Sequence, residues 1–116
     1  MNNKEFSKQL QARTRTFAIR LIRLSANLPN TVEGKVVRNQ ITKAGSSVGA
    51  NYREASRARS RADFKNKIKI CESESDETLY WLEIIKDLEW VQINDEYKEA
   101  NELLSISASI GHSLSS

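Results

Sequence analysis

Apolar residues return along the chain at steps of three and four, and that period divides it into four helical segments. In the first, Phe6, Leu10, Phe17, Leu21, Leu24 and Leu28 form the stripe and Ile22 widens it. The spacing predicts a helix over about 4–27, ended by Leu28-Pro29, because the residue before a proline avoids the helical region. Thr31 is a natural N-cap for a second helix over about 31–58, with Val37, Ile41, Ala44, Val48, Asn51 and Ala55 on its seam. Ser60 stands three residues before Asp63, close to a capping box, and opens a third helix over about 61–90. Its seam is Phe64, Ile68, Cys71, Ser75, Thr78, Leu82 and Ile85, and a second row, Trp81, Ile84 and Leu88, runs beside it. After a turn near Val91-Gln92-Ile93, Asn94 or Asp95 is expected to cap a fourth helix over about 95–114, carrying Tyr97, Ala100, Leu104, Ser107, Ile110 and Leu114.

Four amphipathic helices with short turns predict an all-α chain: one domain, residues 1–116, folded as an antiparallel up-down-up-down four-helix bundle. The heptad-like spacing favours a shallow left-handed crossing. Helices this long in so small a chain bury little per residue, so a second interface, and a homo-oligomer, is expected.

Composition agrees with helices. There are one proline and four glycines in 116 residues, and Val rarely alternates with polar neighbours. A single cysteine, Cys71, cannot form an internal disulfide. The N-terminal stretch is polar where a secretory signal would be apolar, and no run is apolar enough to span a membrane. A cytoplasmic protein is expected.

Net charge of +3 hides a division. Residues 1–71 hold 16 of the 18 Lys and Arg against four acids, a balance of +12, whereas residues 72–116 hold two against 11, a balance of −9. The halves either neutralise one another or leave a basic surface for a polyanion. The basic residues Arg53, Arg57 and Arg61 are spaced by four, as are Lys65 and Lys69, with Arg59 at the turn. They are the candidate nucleic-acid-binding residues, and the aromatics do not interleave with this row as base stacking requires. Backbone-directed, salt-sensitive binding of RNA or DNA is one reading; arginines paired with the acidic half, within or between subunits, is the other.

The stretch AGSSVGAN, residues 44–51, is a run of small residues inside a helix. Gly45 and Gly49 share one face, and a glycine there costs about 1 kcal/mol against alanine unless another backbone comes close. The close approach is made within the monomer or between subunits. A phosphate-cradling loop is disfavoured, since no Gly-Lys-Ser/Thr follows. Asn51 falls on the apolar seam, and with the turn near residue 59 it lies level with Ile68. A buried polar network of Asn51, Glu54 and basic neighbours, structural in role, is expected.

Catalytic parts are missing. His112 lies in a serine-rich tail, and Cys71 on the seam reads as an inert small hydrophobe. Glu72, Glu74, Asp76 and Glu77 have no Glu-x-x-His companion, so a solvated or ion-paired acidic face is expected in place of a metal site. No cofactor and no enzyme activity are expected; an Arg/Glu site of mutase type would need a pocket of several titratable groups.

Several motifs together resemble a known family, the bacterial four-helix-bundle proteins named after the 23S rRNA intervening-sequence protein. Ser47, Val48, Asn51 and Glu54 match its Ser-(Ile/Val)-x-x-Asn-x-x-Glu motif, and Ser60, Asp63 and Phe64 match its Ser-x-x-(Asp/Glu)-Phe motif. Glu74, Asp76, Glu77, Thr78, Trp81 and Leu82 match an acidic-aromatic motif, and Leu28-Pro29 matches the end of the first helix. Ala55 stands where many members have glycine. The resemblance covers roughly residues 15–110. It implies a bundle assembled into a ring, typically a homopentamer, with Gly45, Ser47, Gly49, Asn51, Glu54, Glu74, Glu77 and Trp81 as the structural and oligomer motif. A related branch is the accessory variability determinant of diversity-generating retroelements, which binds reverse transcriptase and nucleic acid. The functional expectation is an accessory or scaffold protein for RNA or DNA; the competing one is a protein-interaction module that binds no nucleic acid.

Overall fold

The computed structural model describes residues 3–115, with side chains described to residue 114. Four helices fill it: α1 (Asn3–Ser25), α2 (Val32–Ala55), α3 (Arg61–Asp87) and α4 (Asn94–Ser115). No strand occurs among the described residues. Links of five or six residues force successive helices to run antiparallel, and α1 closes the bundle against α4. The 44 × 22 × 20 Å body is one helix long and two helices wide.

The core lies where the four-three seams meet, around Phe17, Leu21, Ile41, Ile68, Leu82, Ile85 and Leu103. Among the described residues five buried positions are polar: Thr14, Ser25, Ser75, Thr78 and Ser107. Thr14, Ser75 and Thr78 are buried because each hydroxyl donates to a carbonyl one turn earlier, at Leu10, Cys71 and Glu74. The Cys71 thiol meets the Val48 carbonyl at 3.5 Å, which fixes the α2–α3 register: residues whose numbers sum to about 119 lie level.

Helix ends follow local chemistry. Thr31 Oγ1 accepts from Gly34 N at 3.0 Å, and Ser60 Oγ accepts from Asp63 N at 3.0 Å. Arg38 donates to the Ser25 and Leu28 carbonyls, each at 3.0 Å, and so closes the C-terminal end of α1.

Some expectations need correction. Helix α2 stops at Ala55, not near 58, because Arg57 N and Ala58 N turn back to Glu54 O and Ala55 O in a tighter winding. Helix α3 stops at Asp87, not 90. Glu89 N binds Lys86 O, Trp90 N binds Ile85 O, and Glu89 takes a left-handed φ of 57°, a Schellman ending without its usual glycine. Asn94 and Asp95 fall inside the first turn of α4 and do not cap it. On that helix Leu103 is buried and Leu104 only half-buried. Phe6 and Ile22, placed on the α1 stripe, are 41% and 48% exposed.

Candidate functional site

An up-down bundle brings the α2–α3 turn to the same end as the start of α1. Lys4 and Lys8 therefore join Arg53, Arg57, Arg59, Arg61, Lys65 and Lys69 at one end of the molecule. All but Lys65 are exposed, and Lys65 is half-buried.

Within the chain these cations go largely unneutralised. Among the described residues, Arg53, Arg57, Arg59, Lys65 and Lys69 form no ion pair. Arg61 donates to the Leu114 carbonyl at 3.2 Å and helps finish α4. The Asp63 carboxylate accepts from Arg59 N at 3.3 Å, and Glu54 faces Lys67 at 3.5 Å. Intrachain neutralisation happens elsewhere, on the α1–α4 seam. There Arg13 grips Glu99 through two bonds of 2.7 and 2.6 Å and also donates to Glu102. Arg20 lies 3.8 Å from Asp95 and 3.7 Å from Glu96. The hydrogen bonds from Arg13 lower the Glu99 pKa, and the same contact raises that of Arg13.

Aromatic rings stand at the basic end as well. An open cleft of about 980 Å³ is lined by Phe6, Phe64 and Tyr52, with Lys4, Lys8 and Arg57 among its walls. Tyr52 is buried, and burial raises its pKa although Ser7 hydrogen-bonds to it. A second groove, about 440 Å³, runs on between α1 and α2 over Ala18, Ser46, Gly49 and Ala50, flanked by Arg15 and Arg53. Gln11 lines both. The α1 contribution left no mark in the local sequence pattern; the up-down order of the helices is the signal that finds it.

The glycine face packs within the chain. A Cβ on Gly45 would stand 2.1 Å from Leu21 Cδ1, and one on Gly49 would stand 3.0 Å from Thr14 Oγ1. Both belong to the α1–α2 crossing. Asn51 is half-buried and, among the described residues, donates only to the Ser47 carbonyl one turn back, at 2.8 Å. With Glu54 60% exposed, the expected buried network does not form. Ser47 is half-buried on the same helix.

On α3, Glu74 is half-buried, Glu77 is exposed, and neither joins an ion pair among the described residues. Trp81 packs on the core with its indole N–H buried and unbonded, and Tyr80 meets it edge-on at 5.1 Å. Burial pushes the Cys71 thiol up to about 12, which leaves it protonated and unreactive. His112 is exposed near the end of α4. No group of three His, Cys, Asp or Glu side chains converges among the described residues. No helix of the described residues is long and apolar enough to cross a membrane.

The family description "23S rRNA-intervening sequence protein" matches residues 7–112, nearly the whole chain. The chain belongs to that family. Its fold is similar to a crystal structure from Bacteroides thetaiotaomicron, a protein of unknown function in the S23 ribosomal protein family. The two are 35% identical, with a TM-score of 0.82, over 91% of this chain and 97% of the other. No curated protein matches the chain. Family membership accounts for the bundle and for the motifs on α2 and α3; function must be argued from the surface.

Proposed function

We propose that this family member is a non-enzymatic cytoplasmic accessory or scaffold protein that holds the backbone of RNA or DNA at its basic end, as a ring-shaped homo-oligomer, most simply a homopentamer. One observation carries the reading. The seam arginines Arg13 and Arg20 have carboxylate partners, whereas Arg53, Arg57, Arg59, Lys65 and Lys69, on the α2–α3 turn and its flanks, have none among the described residues. Cations left unpaired beside one another repel, and an external polyanion relieves that repulsion while releasing its counterions. Self-association is supported by apolar side chains left outside: Ile19, Ile22, Val36, Tyr80 and Leu88 are 40–56% exposed. A ring would repeat the basic end around its axis and raise avidity.

The test is fluorescence anisotropy with structured RNA and duplex DNA across a salt titration, beside sedimentation velocity. A linear log–log fall in affinity is expected, and Arg57→Glu with Lys65→Glu should take roughly one unit per cation off the slope. The mass should be five times the 13.2 kDa of the chain and unchanged in the variant. Absence of binding at low salt refutes the nucleic-acid reading in favour of a protein partner, and a monomer refutes the ring.

A further inference from the structure

The end cleft contains more than phosphate binding requires. A duplex offers a basic surface its phosphates and the edges of its bases, because the base faces are stacked inside. Yet Phe6, at 41% exposure, holds an apolar ring in water at the mouth of a cleft whose walls include Lys4, Lys8 and Arg57. Phe64 lines the same cleft and is anchored on the core, so the aromatic lining comes from both α1 and α3. From this cleft the α1–α2 groove leads away past Gln11 between Arg15 and Arg53, over side chains too small to block it. From Phe6 to Ala18 along α1 the path is roughly 18 Å.

Resting on the nucleic-acid reading above, we infer that the ligand is single-stranded: an unpaired base stacks on Phe6 in the end cleft, while the strand's phosphates follow Arg57, Arg53 and Arg15 along the α1–α2 groove. Stacking on an aromatic face tolerates any base, because every base has a π-face. The cations supply the backbone attraction, and their spread along the groove fits a strand of a few nucleotides. An acidic peptide satisfies the cations but brings no flat ring for Phe6.

Anisotropy with a labelled oligo(dT) or oligo(U) strand, a duplex of equal length and poly-glutamate tests this. Wild type should favour the single strand over the duplex. Phe6→Ala should weaken the single strand roughly tenfold and leave the duplex unchanged, and Phe6→Trp should restore it. Because the ring is already partly solvated, the helical circular dichroism of Phe6→Ala should match wild type. Arg57→Glu with Lys65→Glu should weaken both nucleic acids. If the charge reversal acts but Phe6→Ala leaves the single strand unaffected, the stacking inference fails and the basic-end reading stands. Poly-glutamate binding as tightly as oligo(dT) overturns the single-strand assignment, and no binding of either nucleic acid overturns both.

Discussion

Replacing each glycine in turn with alanine separates positions where the fold needs a missing side chain from those where it does not. Gly34 is the severe case. It sits in the first turn of α2, and a Cβ there would stand 1.9 Å from the Pro29 carbonyl oxygen and 2.8 Å from its carbon. Both are backbone atoms, so relief requires the α1–α2 link to move outward by more than an ångström. That link is held at Leu28, whose side chain is in the core and whose carbonyl accepts from Arg38. Alanine gains at most about 1 kcal/mol in helix propensity. Overpacking with a backbone shift costs about 1–3 kcal/mol, and a weakened hydrogen bond from a charged donor adds about 1.5 kcal/mol or more. The net expectation is a loss of about 2 kcal/mol.

At Gly45 the obstacle is the Leu21 methyl, a movable atom, but Leu21 is fully buried and has no open space to turn into. A loss of about 1–2 kcal/mol is expected. Gly49→Ala meets Thr14 at 3.0 Å and should be near neutral, tightness offsetting propensity. At Gly111 the nearest atom is Ile68 Cγ2 at 3.9 Å, an ordinary contact, so alanine should stabilise by about 0.5–1 kcal/mol. Urea unfolding followed at 222 nm, at one fixed protein concentration, reads the series. A Gly34→Ala protein as stable as wild type would refute the close approach of Pro29 to α2. Equal effects at Gly34 and Gly111 would show that propensity alone governs.

Two further substitutions test local chemistry. Glu89→Gly should stabilise by about 1 kcal/mol in the same assay, because glycine adopts the left-handed φ that glutamate holds at a cost; no gain would mean that α3 ends otherwise in solution. Glu99→Gln tests the α1–α4 seam through pH. Its folded pKa lies below the ordinary carboxylate value, so its contribution is present above that value and lost as pH falls through the lowered one. Wild type should therefore lose stability on acidification more steeply than Glu99→Gln; parallel profiles would remove the Arg13 pair from the account.

The fold was legible because each seam keeps a four-three period, and because Thr31 and Ser60 carry hydroxyls where α2 and α3 begin. Periodicity could not choose between Leu103 and Leu104, adjacent residues of identical chemistry. The end of α3 carried no glycine to announce it, since Glu89 bears the left-handed turn itself. Gly34 carries no sequence signal because its constraint comes from a carbonyl across a link, whereas Gly45 and Gly49 lie in a visible run of small residues. At the site, the basic row could be read along the chain, but Lys4, Phe6 and Lys8 reach it only through the return of the fold. Asn51 misled because its position on the seam implied burial, while its amide is satisfied by its own helix.

The charge division has a spatial consequence that composition alone does not fix. Oppositely charged halves could have neutralised one another throughout, and among the described residues they form ion pairs only where Arg13 and Arg20 meet the carboxylates of α4. On α3 the sign changes near residue 71, so Glu72, the first acid after it, lies about 16 Å along the helix from Arg61 and about 5 Å from Lys69. The first distance is about twice the Debye length of about 8 Å at physiological salt, so these acids do little to screen the arginines of the turn, whereas Lys69 lies within their reach. A polyanion approaching the α2–α3 turn thus meets arginines offset chiefly by the nearby Glu54 and Asp63. In the proposed ring, the unpaired acids of α3 remain available to a neighbouring subunit. Assembly and polyanion binding would then draw on different charges, which is why reversing Arg57 and Lys65 should weaken polyanion binding and spare assembly.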